Sequence, residues 1–380
     1  MRLRLVTFVI YLSAVGALPL DATPQFARAY RVDCSYCHSA PPRLNERGLR
    51  FLALNYRFEN RESSGTLPLA VWNTADLEWR HSTDLVKGFP SRVELISSGQ
   101  LGRTRAAYFV EWRALSQSVG GDGRLVDRSG RFEDLFVRLP FGASGRWSVT
   151  VGQFRALTQV DVSQRLSLSE PLVFSSSVPG RRGADARLTG LRAFSASGRQ
   201  PAVRAEHQLT RGPSAADGWF AAATLPLTGE LTIPFTDAAS FEFEARPKGV
   251  FLEAYRRSGL LSLGGHAFVG DERRRFITAV LTHDIQRRVA LVAGVGGFHA
   301  AGATDARYSL GAEATITSRV IGGIRVDHRT GQGRDPAVLL YGNGHLPFGP
   351  SAFRQALRLQ IEHRIQPANH ATAVALSHVF

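Results

Sequence analysis

The chain has 380 residues, is 44% hydrophobic and has a mean hydropathy of −0.10, which allows one large domain or two ordinary ones and excludes a bundle of membrane-spanning helices. Its formal net charge is +14, almost all of it from arginine, since Lys87 and Lys248 are the only lysines. The arginines are scattered singly along the chain rather than gathered in a basic tail or helix. That pattern fits solvated or pore-lining charge and argues against a nucleic-acid partner.

Residues 1–22 read as a signal peptide. Arg2 and Arg4 form a positive start, Leu5 to Leu12 an apolar run, and Val15-Gly16-Ala17 a small-residue cleavage site, with a second possible cut after Ala22. Export suits covalent haem attachment and a disulfide equally, so it does not separate the two.

Residues 23–60 contain both cysteines of the chain, in the run Cys34-Ser35-Tyr36-Cys37-His38. Two thiols at this spacing can add to the two vinyl groups of one haem. His38 then presents an imidazole nitrogen to the iron from one face. A thiol–disulfide switch, half of a zinc site and a structural disulfide are the competing readings. A zinc site needs a second pair of ligands at similar spacing, and there is no second cysteine pair. A thioredoxin-like motif needs a βαβ setting, which is missing around it. The expectation is therefore one covalent haem c, bound by Cys34 and Cys37 with His38 as proximal iron ligand.

Pro41-Pro42 ends the motif and can start a helix, with Asn45 near its first turn. Leu44, Gly48, Phe51 or Leu52, and Asn55 recur at helical spacing, giving one apolar or small face. Gly48 would allow close approach either of a flat ligand or of another backbone. A segment this short buries too little surface to enclose a haem alone, so something else must cover the cofactor.

Residues 61–380 form the rest of the chain, and from about residue 70 to the last residue the pattern has period two. Tyr108, Val110, Trp112 and Ala114 alternate with Glu111 and Arg113, and a second alternating run holds Phe276 and Val280 and ends near His283. Val289, Leu291, Ala293 and Val295 form a third. Tyr308, Leu310, Ala312, Ala314 and Ile316 oppose Arg307, Ser309, Glu313 and Thr315. Val320, Ile324 and Val326 oppose Arg319, Arg325 and Asp327. Phe353, Leu357, Leu359 and Ile361 oppose Arg354, Arg358, Gln360, Glu362 and Arg364. Runs of about ten residues, apolar on one face and charged on the other, predict an outer-membrane antiparallel β-barrel facing lipid and a wet lumen, with about 16 strands. Mid-strand charges such as Glu242 and Glu244 suit a lumen and would be costly in a dry core. Gly120-Gly121-Asp122-Gly123 reads as a loop, and residues 155–186, with Arg181-Arg182-Gly183, as a long external or inward-folded one. Gly294, Gly296 and Gly297 lie inside a strand run and read as small lumen- or neighbour-facing positions rather than a dinucleotide fingerprint. Phe380, following Val374 and Leu376 at alternating positions, resembles the terminal aromatic assembly signal of bacterial outer-membrane barrels.

The only methionine is Met1, which leaves with the signal peptide and so rules out a His/Met haem. The sixth iron site is then open or held by another histidine, and a second histidine lowers the potential relative to a thioether. The remaining histidines are His81, His207, His266, His283, His299, His328, His345, His363, His370 and His378. Those on the arginine-bearing strand face are the better placed. His266 and His283 are ambiguous by parity, and His328 and His363 go with the apolar set. His81, near the start of the barrel and close in sequence to the haem segment, is the candidate distal ligand. Lumenal arginines could pair with the haem propionates.

The order of parts, together with Cys34-Ser35-Tyr36-Cys37-His38, Pro42, Leu44, Gly48, Phe51 and Tyr56, resembles the fused outer-membrane monohaem cytochrome–porins, which include iron-oxidising cytochromes. The Gly-Arg pair of that pattern is Gly48-Leu49 here, with Arg50 one position further on. The resemblance implies a haem inside or at the mouth of a pore in the bacterial outer membrane, surrounded by outer-membrane lipid. It would pass electrons between an extracellular donor or acceptor, such as Fe(II), and periplasmic carriers such as soluble cytochromes. The chain would then be an electron-transfer protein or an extracellular metal oxidoreductase. Two other readings stand beside this one: a passive, anion-preferring porin with a haem-bearing plug, and a ligand-binding haem sensor or enzyme with an open sixth site.

Overall fold

In the computed structural model, the structure describes residues 25–40, 43–58, 63, 69–80, 92–102, 104–119, 125–127, 129–142, 146–155, 199–210, 217–227, 249–258, 261–270, 274–285, 288–300, 303–317, 319–330, 336–348, 355–366 and 369–379. Sixteen antiparallel strands close into a barrel. They are β1 (Leu69–Arg80), β2 (Arg92–Gln100), β3 (Ala107–Val119), β4 (Arg131–Phe141), β5 (Trp147–Arg155), β6 (Arg199–Thr210), β7 (Gly218–Pro226) and β8 (Gly249–Ser258), then β9 (Leu261–Gly270), β10 (Arg274–Ile285), β11 (Val289–Ala300), β12 (Ala303–Thr317), β13 (Val320–Arg329), β14 (Ala337–Phe348), β15 (Gln355–Gln366) and β16 (Asn369–Val379). A further three-residue strand, Leu125–Asp127, pairs only with Gln117–Val119 of β3. The expected fold class is the one observed. The stretch 155–186, expected as a long loop, lies almost wholly outside the described residues, as do residues 1–22, expected as a signal peptide, and Glu242, Glu244, residues 120–123 and Phe380.

Every strand pairs with its neighbour in sequence, and β16 pairs with β1 from Ala371↔Arg80 to Val379↔Trp72. This last ladder removes the two edges an open sheet would leave unpaired. The Thr74 and Ser377 hydroxyls lie 3.4 Å apart across that seam.

The alternation sorts side chains between two solvents. Ile277 is 69% exposed, Leu310 62%, Val269 58% and Leu346 54%, all on the outer face. Their neighbours Thr278, Ser309, Phe268 and His345 are buried on the inner one. A closed apolar band of this kind spans a bilayer with every backbone group paired inside the sheet. Phe141, Trp147 and Trp219 are exposed outer-face aromatics near strand ends, with Phe141 and Trp147 stacked 6.2 Å apart. They occupy the position of an interfacial girdle, where an amphipathic ring meets the headgroups. The first residue of β1 and the last of β16 lie at the same end of the barrel, referred to below as the entry end.

The lumen is lined with paired charge. Arg204, almost fully buried, donates to Glu206 at 3.1 Å and to Glu253 at 2.9 Å, and Arg138 also pairs with Glu206. Arg325 reaches Asp327 at 3.0 Å, and the Ser309 hydroxyl donates to the same carboxylate at 2.6 Å. The glycines of β11 divide between the faces. A Cβ on Gly296 would meet Phe298 and Thr278 side chains at 2.8 Å, whereas one on Gly297 would meet nothing within 4 Å. Gly296 is a small lumenal position and Gly297 an outward one.

The depth of each outer-face position sets the cost of a charge there. Leu310→Arg, at mid-strand in β12, is expected to destabilise the folded barrel by about 2–4 kcal/mol, and Leu346→Arg, near the end of β14, by about 0–1 kcal/mol. Urea unfolding of the two variants in lipid vesicles checks this ordering.

Candidate functional site

The C-x-x-C-H segment is docked against the lumenal face of the wall at the entry end. It contains three short helices, α1 (Gln25–Tyr30), α2 (Cys34–Cys37) and α3 (Glu46–Ala53). Helix α1 ends with Val32 N–H donating to Ala27 C=O at 3.0 Å around Arg31 at φ 53°. Helix α3 ends similarly, with Tyr56 N–H donating to Phe51 C=O at 2.9 Å around Asn55 at φ 57°. Asparagine tolerates this left-handed conformation because its short amide can bond locally.

Asn45 ties α3 to the motif. Its Oδ1 caps the helix by accepting from Gly48 N–H at 3.1 Å, and its Nδ2 donates to Tyr36 C=O at 3.1 Å. Its backbone N–H donates to Cys37 C=O at 2.8 Å, and a two-pair antiparallel ladder sets His38 opposite Leu44. A Cβ on Gly48 would stand 2.2 Å from Cys37 O and 2.7 Å from Leu44 Cδ2. Of the two roles open to Gly48, the structure supports close helix packing: α3 presses directly on the motif's last turn.

The core of the segment is aromatic. Ala29, Tyr30 and Phe51 are buried, with Phe26, Val32, Tyr56 and Phe58 packed around them. Phe26 stacks on Tyr56 at 5.1 Å, and Phe51 lies 4.5 Å from Phe58. Burial pushes the Tyr30 hydroxyl pKa upward, with Arg57 pulling the other way, and the neutral phenol donates to Tyr56 C=O at 3.0 Å. The expected face of α3 is present: Gly48, Phe51 and Asn55 are buried and Leu44 is half-buried.

The barrel supplies the rest of the enclosure. Gln25 Nε2 donates to Ser98 Oγ of β2 at 2.7 Å, with both residues buried, and Arg28 donates to Leu69 C=O of β1. Asn55 Nδ2 reaches Arg105 C=O at 3.5 Å. Tyr56 lies 6.3 Å from Phe109 of β3, which stacks at 5.5 Å on Phe136 of β4, itself 5.8 Å from Phe154 of β5. The apolar faces of this aromatic row suit a flat ring system.

Cys37 and His38 are both half-buried, and neither belongs to the segment's buried aromatic cluster. One thiol and one imidazole on consecutive residues fit part of the donor set of a c-type haem. Cys34 opens α2, so the backbone brings all three motif residues into one turn. His81, the expected distal candidate, lies outside the described residues.

Two lumenal features could not be singled out from the sequence. Glu94, Glu111 and Glu133, on β2, β3 and β4, are buried with carboxylate oxygens within 4.8 Å of one another. Arg113 stands among them, 3.7 Å from Glu94 and paired with Glu133, while Arg92 is 3.3 Å from Glu94. Parity assigns Glu94 and Glu111 to the lumen but leaves Glu133 out of step with the lumenal Arg138 of its own strand, and the three meet beside a register shift between Val93 and Glu94 and another between Glu111 and Trp112. The second feature is His345 of β14. It appears in the sequence only as one histidine among ten, and the structure places it buried on the lumenal face, beside the turn at Arg319.

No protein-family model and no curated protein matches this chain. Solved porins do resemble it. Salmonella typhi OmpF, in a complex with daunomycin, aligns over 83% of this chain and 97% of its own at 9% identity and a TM-score of 0.51. A mutant of the Rh. blastica porin aligns over 82% and 99% at 9% identity and a TM-score of 0.50. An anion-selective porin from Comamonas acidovorans aligns over 82% and 98% at 14% identity and a TM-score of 0.48. At these identities the likeness is one of fold: the chain is a porin-like sixteen-strand barrel.

Gly48→Ala is expected to lever α3 off the C-x-x-C-H turn and loosen the segment from the wall. Limited proteolysis of the folded barrel should then cut within residues 25–58 at least several-fold faster than in the parent, with the barrel fragment left intact.

Proposed function

We propose that this protein is an outer-membrane electron-transfer barrel, with one haem c bound covalently by Cys34 and Cys37 and held at the entry-end mouth of the lumen. The observation that carries this reading is the docking of the C-x-x-C-H segment onto the lumenal wall through the buried Gln25–Ser98 hydrogen bond. Each thiol S–H adds across one vinyl C=C, the sulfur bonding to one carbon and the hydrogen going to the other, so the attachment needs no oxidant. When bound, the haem supplies a one-electron couple, Fe(III)/Fe(II), at a place where lipid would otherwise block electron flow.

His38 would hold the iron, and the aromatic residues of the segment and of β3 to β5 would shield the bound group from water. An extracellular one-electron donor, such as Fe(II) oxidised to Fe(III), would deliver the electron, and a soluble periplasmic cytochrome would remove it. The entry end is read as the periplasmic side because the connections there are short, from Ser258 to Leu261 between β8 and β9 and from Thr317 to Val320 between β12 and β13, as periplasmic turns are.

A second reading has the barrel itself in its favour. A sixteen-strand porin-like wall with a charged lumen is what a passive diffusion pore requires, and the fold supports that role more directly than it supports redox chemistry. On this reading the N-terminal segment is a plug, and the arginine-rich lumen prefers anions. The two readings differ in the chemistry they give the motif, which haem staining tests directly.

Haem staining of the denatured protein is expected to be positive and to vanish in a Cys34→Ala/Cys37→Ala variant. Protein in liposomes is expected to reduce a trapped one-electron acceptor from an external donor, and the double variant is expected to lose this. If the parent stains negative while single-channel conductance is the same in parent and variant, the passive pore is the correct reading.

A further inference from the structure

Covalent attachment leaves the second axial position of the iron to be filled, and the barrel wall limits what can fill it. No methionine follows Met1 in the sequence. Strand register sorts the described histidines of the wall. His207, His283, His299, His328, His363, His370 and His378 alternate out of step with the lumenal set and belong to the outer face. Tyr308 stacks on His328 and the Thr372 hydroxyl bonds His363 on that outer side. Among the described residues only His266 and His345 face the lumen.

These two differ in place and in partners. His266 is on β9, half-way round the barrel from β1, and its Nδ1 lies 3.3 Å from the Tyr255 hydroxyl. His345 is on β14, beside Arg319 of the entry-end turn, the end at which Leu69, Ser98, Arg105 and Phe109 receive the haem-carrying segment. It is 7% exposed, and among the described residues no side-chain hydrogen bond ties its ring. Arg358 stands opposite it on β15, and the His345 backbone N–H donates to Arg319 C=O at 2.7 Å. His345 and the segment that carries His38 therefore lie at the same end of the lumen, contributed by two separate parts of the fold.

We propose that His345 is the second axial ligand of the haem iron, facing His38 across the porphyrin, so that the site is completed by the barrel wall. This inference rests on the covalent-haem reading. Arg358, opposite His345 on β15, donates through Nε to Asn343 Oδ1 at 3.3 Å and puts a lumenal guanidinium beside the proposed ligand, a group whose fork matches a carboxylate. The site needs no methionine, and two imidazoles set its potential below that of a His/thioether haem.

The test uses the full-length protein matured in an export-competent host and compares parent, His345→Ala, His345→Met and His266→Ala. For the parent, the oxidised absorption and EPR spectra are expected to be low-spin, and carbon monoxide should leave the reduced spectrum unchanged. His345→Ala is expected to keep covalent haem by staining, lose the low-spin signature and bind carbon monoxide. His345→Met should restore a low-spin spectrum at a raised midpoint potential, and His266→Ala should match the parent. A His345→Ala protein that stains for haem yet stays low-spin and inert to carbon monoxide overturns the assignment. So does a high-spin, carbon-monoxide-binding parent, which settles the question even if the Ala variant does not fold. A parent that does not stain at all removes the covalent-haem reading itself.

Discussion

The closing ladder between β16 and β1 is the constraint on which the rest of the molecule depends. Lipid offers no hydrogen bonds, so a sheet can cross it only when every strand has two neighbours. Once β16 pairs with β1 from Ala371↔Arg80 to Val379↔Trp72, each side chain has one of two destinations. Alternate residues meet hydrocarbon or the lumen, and a shift of one position would exchange the two sets along a whole strand. Leu310 outside and Ser309 inside follow from this closure as directly as the hydrogen bonds do.

Closure also determines what the lumen can tolerate. A buried guanidinium such as Arg204 is costly to desolvate and is compensated only when carboxylates reach it in good geometry. Glu206 and Glu253 do so at 3.1 and 2.9 Å, one from the same strand and one from β8, across the intervening β7. The lumen is therefore a mesh of cross-strand pairs rather than a set of independent charges. Further along the wall, Glu94, Glu111 and Glu133 gather around Arg113 in the same manner. A positive chain can line a lumen with arginine where carboxylates hold the guanidinium groups, from the same strand for Arg325, an adjacent strand for Arg113, and two strands away for Arg138 and Arg204.

The wall was legible in the sequence because its signal is local. Leu310, Ala312 and Ala314 against Ser309, Glu313 and Thr315 declare both a strand and its two faces within a few residues. Helix α3 was legible for the same reason, from the spacing of Leu44, Gly48, Phe51 and Asn55. The histidines show where that reading stops. Parity correctly put His328 and His363 with the apolar set, since charged neighbours marked the other face. It left His266 undecided, because Gly264 and Gly265 beside it carry no side chain to mark either face. His345 gave no signal at all. Its place at the end where the segment docks depends on barrel closure and on where α1 to α3 dock, and neither has any trace in the residues flanking it. The carboxylate trio was hidden for a related reason, since two register shifts bring its members together.

The same distinction bears on how the parts of the site divide the work. The N-terminal segment has an aromatic core of its own in Ala29, Tyr30 and Phe51, but its cysteine and histidine stand half-buried outside that core. A segment of this size can position a motif; it cannot also wall off a porphyrin. The barrel has the opposite capacity, a rigid wall with a buried lumenal histidine and no thiols. On the proposed reading, attachment belongs to the segment and enclosure to the wall, with the iron bridging them. Ligation by His345 would then be possible only after β14 has taken its place in the closed sheet and the segment has docked through Gln25 and Arg28. The spin state of the haem would report whether the whole barrel had assembled, because neither half of the site contains both axial groups.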